Sequence, residues 1–171
     1  MQRLVVFVLV ALSLATGSAL ARSRPQTPPS ATAVVADLYR EFAWSALFAP
    51  DPALRGPRWE VVSQQPGKIL GRYFEPGLVR LLLQDRACAV RTHGVCNLDF
   101  DPIFGVQDSA GASDLSIVGV SEDRVAVSIR YPSLPEPMKL SYMVKHAPTG
   151  WRIFDIAYPD GTSLRQLLSR H

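Results

Sequence analysis

The order of hydrophobic periodicities predicts an α+β fold, with N-terminal helices packed on a curved four-stranded antiparallel sheet and a short C-terminal helix. Two observations carry this. Apolar residues recur at three- and four-residue steps in the first half of the chain, and from Asp114 the period changes to two. Helices first and a run of strands afterwards place the helices together on one face of the sheet.

The first helix begins near Ser30 or Thr32, either of which can accept the N–H bonds of an opening turn. Val35, Leu38, Tyr39, Phe42 and Ala46 then make one apolar face, and Ala49-Pro50-Asp51-Pro52 ends the helix. Residues 50–67 are rich in proline and glycine and read as a loop, with a brief strand or helical turn at Trp59–Val62. A second helix starts at Glu75-Pro76, because proline suits a first turn and a carboxylate suits a helix N-terminus. Leu78, Leu81 and Leu82 carry its buried side, and it is expected to end around Arg86–Cys88.

Four strands follow. Leu115, Ile117 and Val120 mark the first, and Val125, Val127, Ile129 and Tyr131 alternate with polar neighbours in the second. Met138, Leu140, Tyr142 and Val144 do the same in the third, and Trp151 to Tyr158 make the fourth. Ser121-Glu122-Asp123 and Pro148-Thr149-Gly150 are short enough to join neighbours as antiparallel hairpins. Gly161-Thr162-Ser163 opens a last helix carrying Leu164, Leu167 and Leu168. Polar alternation in the second and third strands predicts one wet face.

The domain boundaries come from the N-terminus. Arg3, the apolar run Leu4–Leu14 and the small residues Ala19-Leu20-Ala21 have the layout of a secretory signal peptide, residues 1–21. The apolar run is too short to span a bilayer, which takes about 20 residues. No cysteine follows Ala21, so no lipid anchor and no stable membrane attachment is expected after cleavage. Residues 22–31 hold Pro25, Pro28 and Pro29 and read as a flexible linker. Residues 32–171 form a single α+β domain, periplasmic or secreted. Cys88 and Cys96, both in the exported part, are expected to form a structural disulfide. With 18 Lys+Arg against 15 Asp+Glu spread along the chain, no basic stripe marks a nucleic-acid partner.

Three segments resemble the bacterial envelope family catalogued as domain of unknown function 3828. They are Tyr73-Phe74-Glu75-Pro76-Gly77-Leu78, Asn97-Leu98-Asp99-Phe100-Asp101-Pro102 with Gln107-Asp108 after it, and Trp151-Arg152-Ile153. The element order is similar to a cystatin-like or nuclear-transport-factor-2-like roll. Such a resemblance implies a sheet wrapped around a long first helix and a conical pocket, and it implies no established activity.

Two groups are candidate sites. Asp99, Asp101, Gln107 and Asp108 are the densest oxygen-rich group. Asp99 and Asp101 either fix an irregular turn by accepting backbone N–H bonds or contact a ligand or partner. The glycine-punctuated spacing of a calcium loop is missing, so no metal is expected. Asp155 shares its parity with Trp151 and Ile153. Should those face the core, it enters the cone beside Tyr39 and Tyr142, where a buried carboxylate could act as a general base. Phe154, Ile156 and Tyr158 form an equally good apolar face of opposite parity, which would turn it outward. His93 reads as a turn residue, and neither His146 nor His171 shows ligand spacing. Trp44 reads as helix packing or a contact surface. No nucleophile elbow or phosphate-binding glycine loop occurs, and no catalytic residue or cofactor is expected.

The leading expectation is a non-catalytic envelope accessory protein that contacts an envelope protein through the sheet's outer face or the loop at residues 88–108. A small-ligand carrier or isomerase-like enzyme using the conical pocket is the alternative, and an inhibitor or immunity protein against an envelope hydrolase is a third. Nothing in the sequence sets the oligomeric state.

Overall fold

In the computed structural model, residues 30–43, 46 and 61–170 are described. Residues 1–29, where the signal peptide and most of the linker are expected, lie outside them, as do Trp44, Trp59, Glu60, His171 and the stretch at 49–52; Ser30 and Ala31, expected in the linker, are the cap and first residue of a helix.

Helix α1 runs from Ala31 to Phe42, and Ser30 caps it by accepting the N–H of Ala33 at 3.1 Å. Its buried side, Val35, Leu38, Tyr39 and Phe42, lies against the inner face of a sheet in the order β1-β2-β3-β4. The strands are β1 Ser113–Ser121, β2 Arg124–Arg130, β3 Met138–Ala147 and β4 Gly150–Ala157. All neighbours pair antiparallel, and the sheet is curved and does not close. Register follows the sequence pattern. Val125 faces Tyr142, Val127 faces Leu140 and Tyr142 faces Ile156, so one apolar layer lines the concave side. The α+β class and element order are therefore those the periodicity predicts.

The structure differs from the sequence expectation at three places. Residues 67–73 form a helix, α2 (Gly67–Tyr73), directly after the segment read as loop, preceded by a single 3-10 turn at Val62–Gln64. Leu70 and Tyr73, three apart, are its only buried residues, too few to register as a periodic pattern. Helix α3 (Pro76–Thr92) continues a full turn past Cys88. Ala87 and Ala89 are strong helix formers, and no breaker intervenes until His93 adopts a left-handed conformation, φ 53°, ahead of Gly94. Leu81, expected in the buried side of that helix, is only half-buried beside Leu78 and Leu82.

The third difference is a register shift between Met143 and Val144, where Met143 pairs with Asp155 and Val144 with Ile153. Phe154 is the extra residue of this bulge, so Ile153 and Ile156 both reach the core. The parity conflict in the fourth strand is resolved by the bulge, which lets Ile153 of one set and Ile156 and Tyr158 of the other face inward. Phe154 is held on the other side between two cations, with Lys145 Nζ 3.4 Å and Arg165 Cζ 4.0 Å from its ring centroid.

Helix α4 (Leu164–Leu168) closes the chain with a capping box, Ser163 and Gln166 each accepting the other's backbone N–H. Arg165 pairs with Glu75, the cap of α3, and so ties the two helices together. Among the described residues no helix is long and apolar enough to cross a membrane.

Candidate functional site

The segment Asp101-Pro102-Ile103-Phe104-Gly105-Val106 folds into a tight turn. Asp101 N–H donates to the Val106 carbonyl, and Phe104 and Gly105 donate back to the Asp101 carbonyl. Gly105 sits at φ +70°, where a side chain is strained, and a Cβ there would stand 3.1 Å from Leu140 and 3.3 Å from Met138. The turn puts Ile103 and Phe104, 0% and 2% exposed, into the concavity between α1 and the sheet.

A buried turn brings carbonyls that need partners. Three tyrosines supply them in sequence. Tyr158, after β4, donates to the Pro102 carbonyl at 3.1 Å; Tyr39, on α1, donates to that of Ile103; Tyr131, after β2, donates to that of Phe104 at 3.2 Å. Tyr39 spends its one proton on Ile103, so its 2.8 Å contact with Tyr142 on β3 has Tyr142 as donor. Edge-on ring contacts of Tyr39 with Phe104 and Tyr142, at 6.0 and 6.1 Å, fill the space between. Burial pushes the hydroxyls of Tyr39, Tyr131, Tyr142 and Tyr158 up, which keeps them protonated and donating.

Asp101 is the polar member of this core. Burial pushes its carboxyl up to about 7, against the pull of the Ile103 N–H that it accepts at 3.1 Å. No buried side-chain nitrogen or oxygen lacks a partner among the described residues. Ile103 and Phe104 therefore occupy this part of the interior, and among the described residues its buried side-chain polar atoms are all bonded.

The sequence-predicted residues are distributed around this plug. Tyr39 and Tyr142 are brought together. Asp155 is buried but turns to the C-terminal helix, where it accepts from Ile156 N–H at 2.9 Å, Ser163 Oγ at 2.7 Å and Arg165 N–H at 2.9 Å. All three donors come from β4 and the α4 cap, and neither Tyr39 nor Tyr142 is among them. Asp99 is exposed and accepts from Gln107 Nε2 at 3.2 Å, whereas Asp108 accepts from Ala110 N–H at 3.0 Å. The three carboxylates of that segment thus serve separate local bonds, and among the described residues no three His, Cys, Asp or Glu side chains are grouped to hold a metal.

The exterior carries the remaining candidates. Cys88 and Cys96 are joined, with Cα atoms 6.1 Å apart. The tip they staple is further held by Asp85, which accepts from Asn97 N–H at 2.7 Å. It presents Val90 and Val95, 71% and 67% exposed, beside Arg91 and His93. On the outer face of the sheet a trough of about 390 Å³ is lined by Ser116, Val118, Ala126, Ser128, Lys139 and Ser141.

A third feature was not anticipated from the sequence. A cleft of about 490 Å³ opens between α1, the end of α2 and the β3–β4 turn, lined by Asp37, Glu41, Arg72, Tyr73, Trp151 and Arg152 among others. Its charges are engaged with one another. Arg72 pairs with Glu41 at 3.1 Å, Tyr73 donates to Glu41, and Arg152 donates to the carbonyls of Gly71 and Trp151 at 3.1 and 2.7 Å. The residues come from three distant stretches, and the only local signal was the Asp37–Glu41 charge pattern on one helix face.

The fold is α+β, with a curved open sheet whose concave side holds the chain's own Asp101–Val106 turn. No family model matches the chain, and no curated protein matches it. Among solved structures it is similar to a phospholipid-binding protein from Ralstonia solanacearum, solved in complex with a phospholipid. That likeness has 18% identity, 81% of this chain and 83% of the other covered, and a TM-score of 0.43. At that distance it carries no argument about family or ligand.

Proposed function

We propose that this chain is an exported, non-catalytic envelope protein that works by contact with another protein, through the stapled tip and neighbouring exterior surfaces. One observation carries the reading. The space in which a carrier or isomerase of this shape would hold a ligand contains Ile103 and Phe104, whose carbonyls are bonded to core tyrosines. A ligand would have to displace two apolar side chains and break several buried hydrogen bonds, each leaving an unpaired group at about 1–3 kcal/mol.

The disulfide supports an oxidising compartment, as does the signal-like N-terminal sequence. Within that reading we propose a distant relationship to the envelope family catalogued as domain of unknown function 3828, on the three sequence segments given above. The stapled tip favours one narrower role, that of an inhibitor. A segment closed by the Cys88–Cys96 bridge and bearing two exposed valines meets a partner at a reduced ordering cost.

The test is site-specific photocrosslinking in the native envelope, with the reactive residue placed at Val95 in one strain and at Val61 in another. One dominant protein adduct from Val95 that is absent from Val61 supports the reading. No protein adduct from the tip, together with a small molecule that copurifies in equal amount with the chain, contradicts it.

A further inference from the structure

Between Asn97 and Gly111 the chain is anchored at both ends. Asn97 follows the disulfide and donates its N–H to Asp85, and Gly111 N–H donates to the Ala46 carbonyl at 3.0 Å. Inside these anchors the Asp101–Val106 turn is closed on itself. Asp101 and Val106 form an isolated bridge, and the N–H groups of Phe104 and Gly105 both return to the Asp101 carbonyl. A different set joins the turn to the rest of the fold, namely the hydroxyls of Tyr39, Tyr131 and Tyr158 and the burial of Ile103 and Phe104. The turn can therefore leave the concave side without breaking a backbone bond of its own.

Asp101 is a buried carboxyl at the base of this turn, and the donors around it are committed elsewhere. It accepts Ile103 N–H at 3.1 Å. Pro102 has no N–H, and the N–H groups of Asp101, Phe104 and Gly105 serve main-chain carbonyls. Four phenols face it, Tyr39 from α1, Tyr131 after β2, Tyr142 from β3 and Tyr158 after β4. Each has one proton; three go to the turn's carbonyls and that of Tyr142 goes to Tyr39. Asp155 acts on Tyr158 and is itself bonded within the α4 cap, and no cation acts on Asp101 among the described residues. Neutral, the carboxyl fits this place. Ionised, it is a buried charge with one hydrogen bond, a cost removed when the turn carries it to water.

We propose that the Asp101–Val106 turn is a pH-operated plug, which leaves the concave side as a unit when Asp101 gives up its proton, while the sheet and α1 stay in place. The sign follows from the carboxyl. It stands at about 7 in the closed turn against an ordinary 3.8, so protonation holds the plug shut, and that hold is lost as pH rises toward 7. The four phenols stay protonated in this range, because burial pushes each of them up. Opening uncovers Ile103 and Phe104 and frees the hydroxyls of Tyr39, Tyr131 and Tyr158 for other acceptors. The plug is independent of the contact surface proposed above.

The experiment is hydrogen exchange of the disulfide-intact protein from pH 5 to pH 8, with each amide corrected for its intrinsic rate. The amides of Ile103, Phe104 and Gly105 are expected to exchange, at every pH, through an opening more frequent than the one that releases the amides of β2 and β3. Their protection is expected to fall about 100-fold over that range in the native chain and in Asp99→Asn, whose carboxylate is exposed, and to stay level in Asp101→Asn. Turn amides that exchange only together with those of β2 and β3 overturn the proposal, since the turn then opens only when the whole fold does. An Asp101→Asn chain that keeps the native pH response overturns it too.

Discussion

The hydroxyls of Tyr39 and Tyr142 lie 2.8 Å apart at the centre of the fold, and the Tyr39 proton goes to the Ile103 carbonyl. The pair therefore has a direction, from β3 to α1 to the plug. It joins three parts of the chain that are separated by at least 39 positions. A polar chain of this kind is stabilising only when complete, since each member left without a partner is a buried group without water.

Removing a tyrosine hydroxyl is expected to cost in proportion to the bonds it serves. Tyr131→Phe leaves one carbonyl, that of Phe104, unpaired and should lower stability by about 1–2 kcal/mol. Tyr39→Phe strips both the Ile103 carbonyl and the Tyr142 proton of their partner and should cost about twice as much. Urea unfolding of the three proteins checks the order. Equal losses would show that the Tyr39–Tyr142 link contributes nothing.

Asp101 gives the fold a pH dependence of definite sign. Its carboxyl stands at about 7 in the folded chain against an ordinary 3.8, so the folded state holds the proton more tightly. Its contribution is fully present below about pH 4 and is lost as pH rises to about 7, above which it stays lost. The phenols of Tyr39, Tyr131, Tyr142 and Tyr158 couple to it and do not ionise in that range. Asp101→Asn keeps an oxygen for Ile103 N–H and removes the titration. The variant should be more stable than the native chain at pH 8 by on the order of 4 kcal/mol, and close to it at pH 4. Unfolding free energies across that range check it, and parallel curves for the two proteins would sink the assignment.

Asp155 is predicted to act on the docking of α4. Its carboxylate accepts two backbone N–H bonds on one oxygen and the Ser163 hydroxyl on the other, and Asp155→Asn removes the charge from the first two and reverses the third, with Ser163 Oγ accepting from the amide. A loss of about 2–3 kcal/mol follows, concentrated in faster amide exchange at Leu167 and Leu168. Uniform destabilisation without that local signature would contradict the role.

Breaking the staple should loosen the tip and leave the sheet intact. On the chain-entropy model, a bridge between cysteines eight positions apart stabilises by about 2.5 kcal/mol. Cys88→Ser with Cys96→Ser is expected to lose about that much and to speed exchange at Asn97, whose N–H is held by Asp85. An unchanged melting temperature would contradict it.

Much of the fold is local and therefore legible. Strand parity placed Val125, Val127, Leu140 and Val144 inside. Of the two cap candidates Ser30 and Thr32, Ser30 is the cap, and the starts expected at Glu75-Pro76 and at Gly161-Thr162-Ser163 are where the two later helices begin. The plug was not legible, because nothing in Asp101–Val106 says that tyrosines 27 to 64 positions away will receive its carbonyls. Asp101 looked like its neighbours Asp99 and Asp108, and only burial distinguishes it. The Phe154 bulge was hidden for a related reason. A one-residue insertion reverses parity, so Ile153 and Ile156 read as competing faces when both are core. The cleft between α1 and the β3–β4 turn depends on tertiary contacts that no single segment contains.

The chain's own Asp101–Val106 turn occupies the concave side of the sheet, where a ligand would otherwise lie. Native mass spectrometry of the disulfide-intact protein, purified gently from the cells that make it, is the decisive measurement. The account predicts the mass of the chain, alone or in protein complexes, with no small molecule retained. A stoichiometric small molecule that dissociates only when the turn is displaced would contradict it.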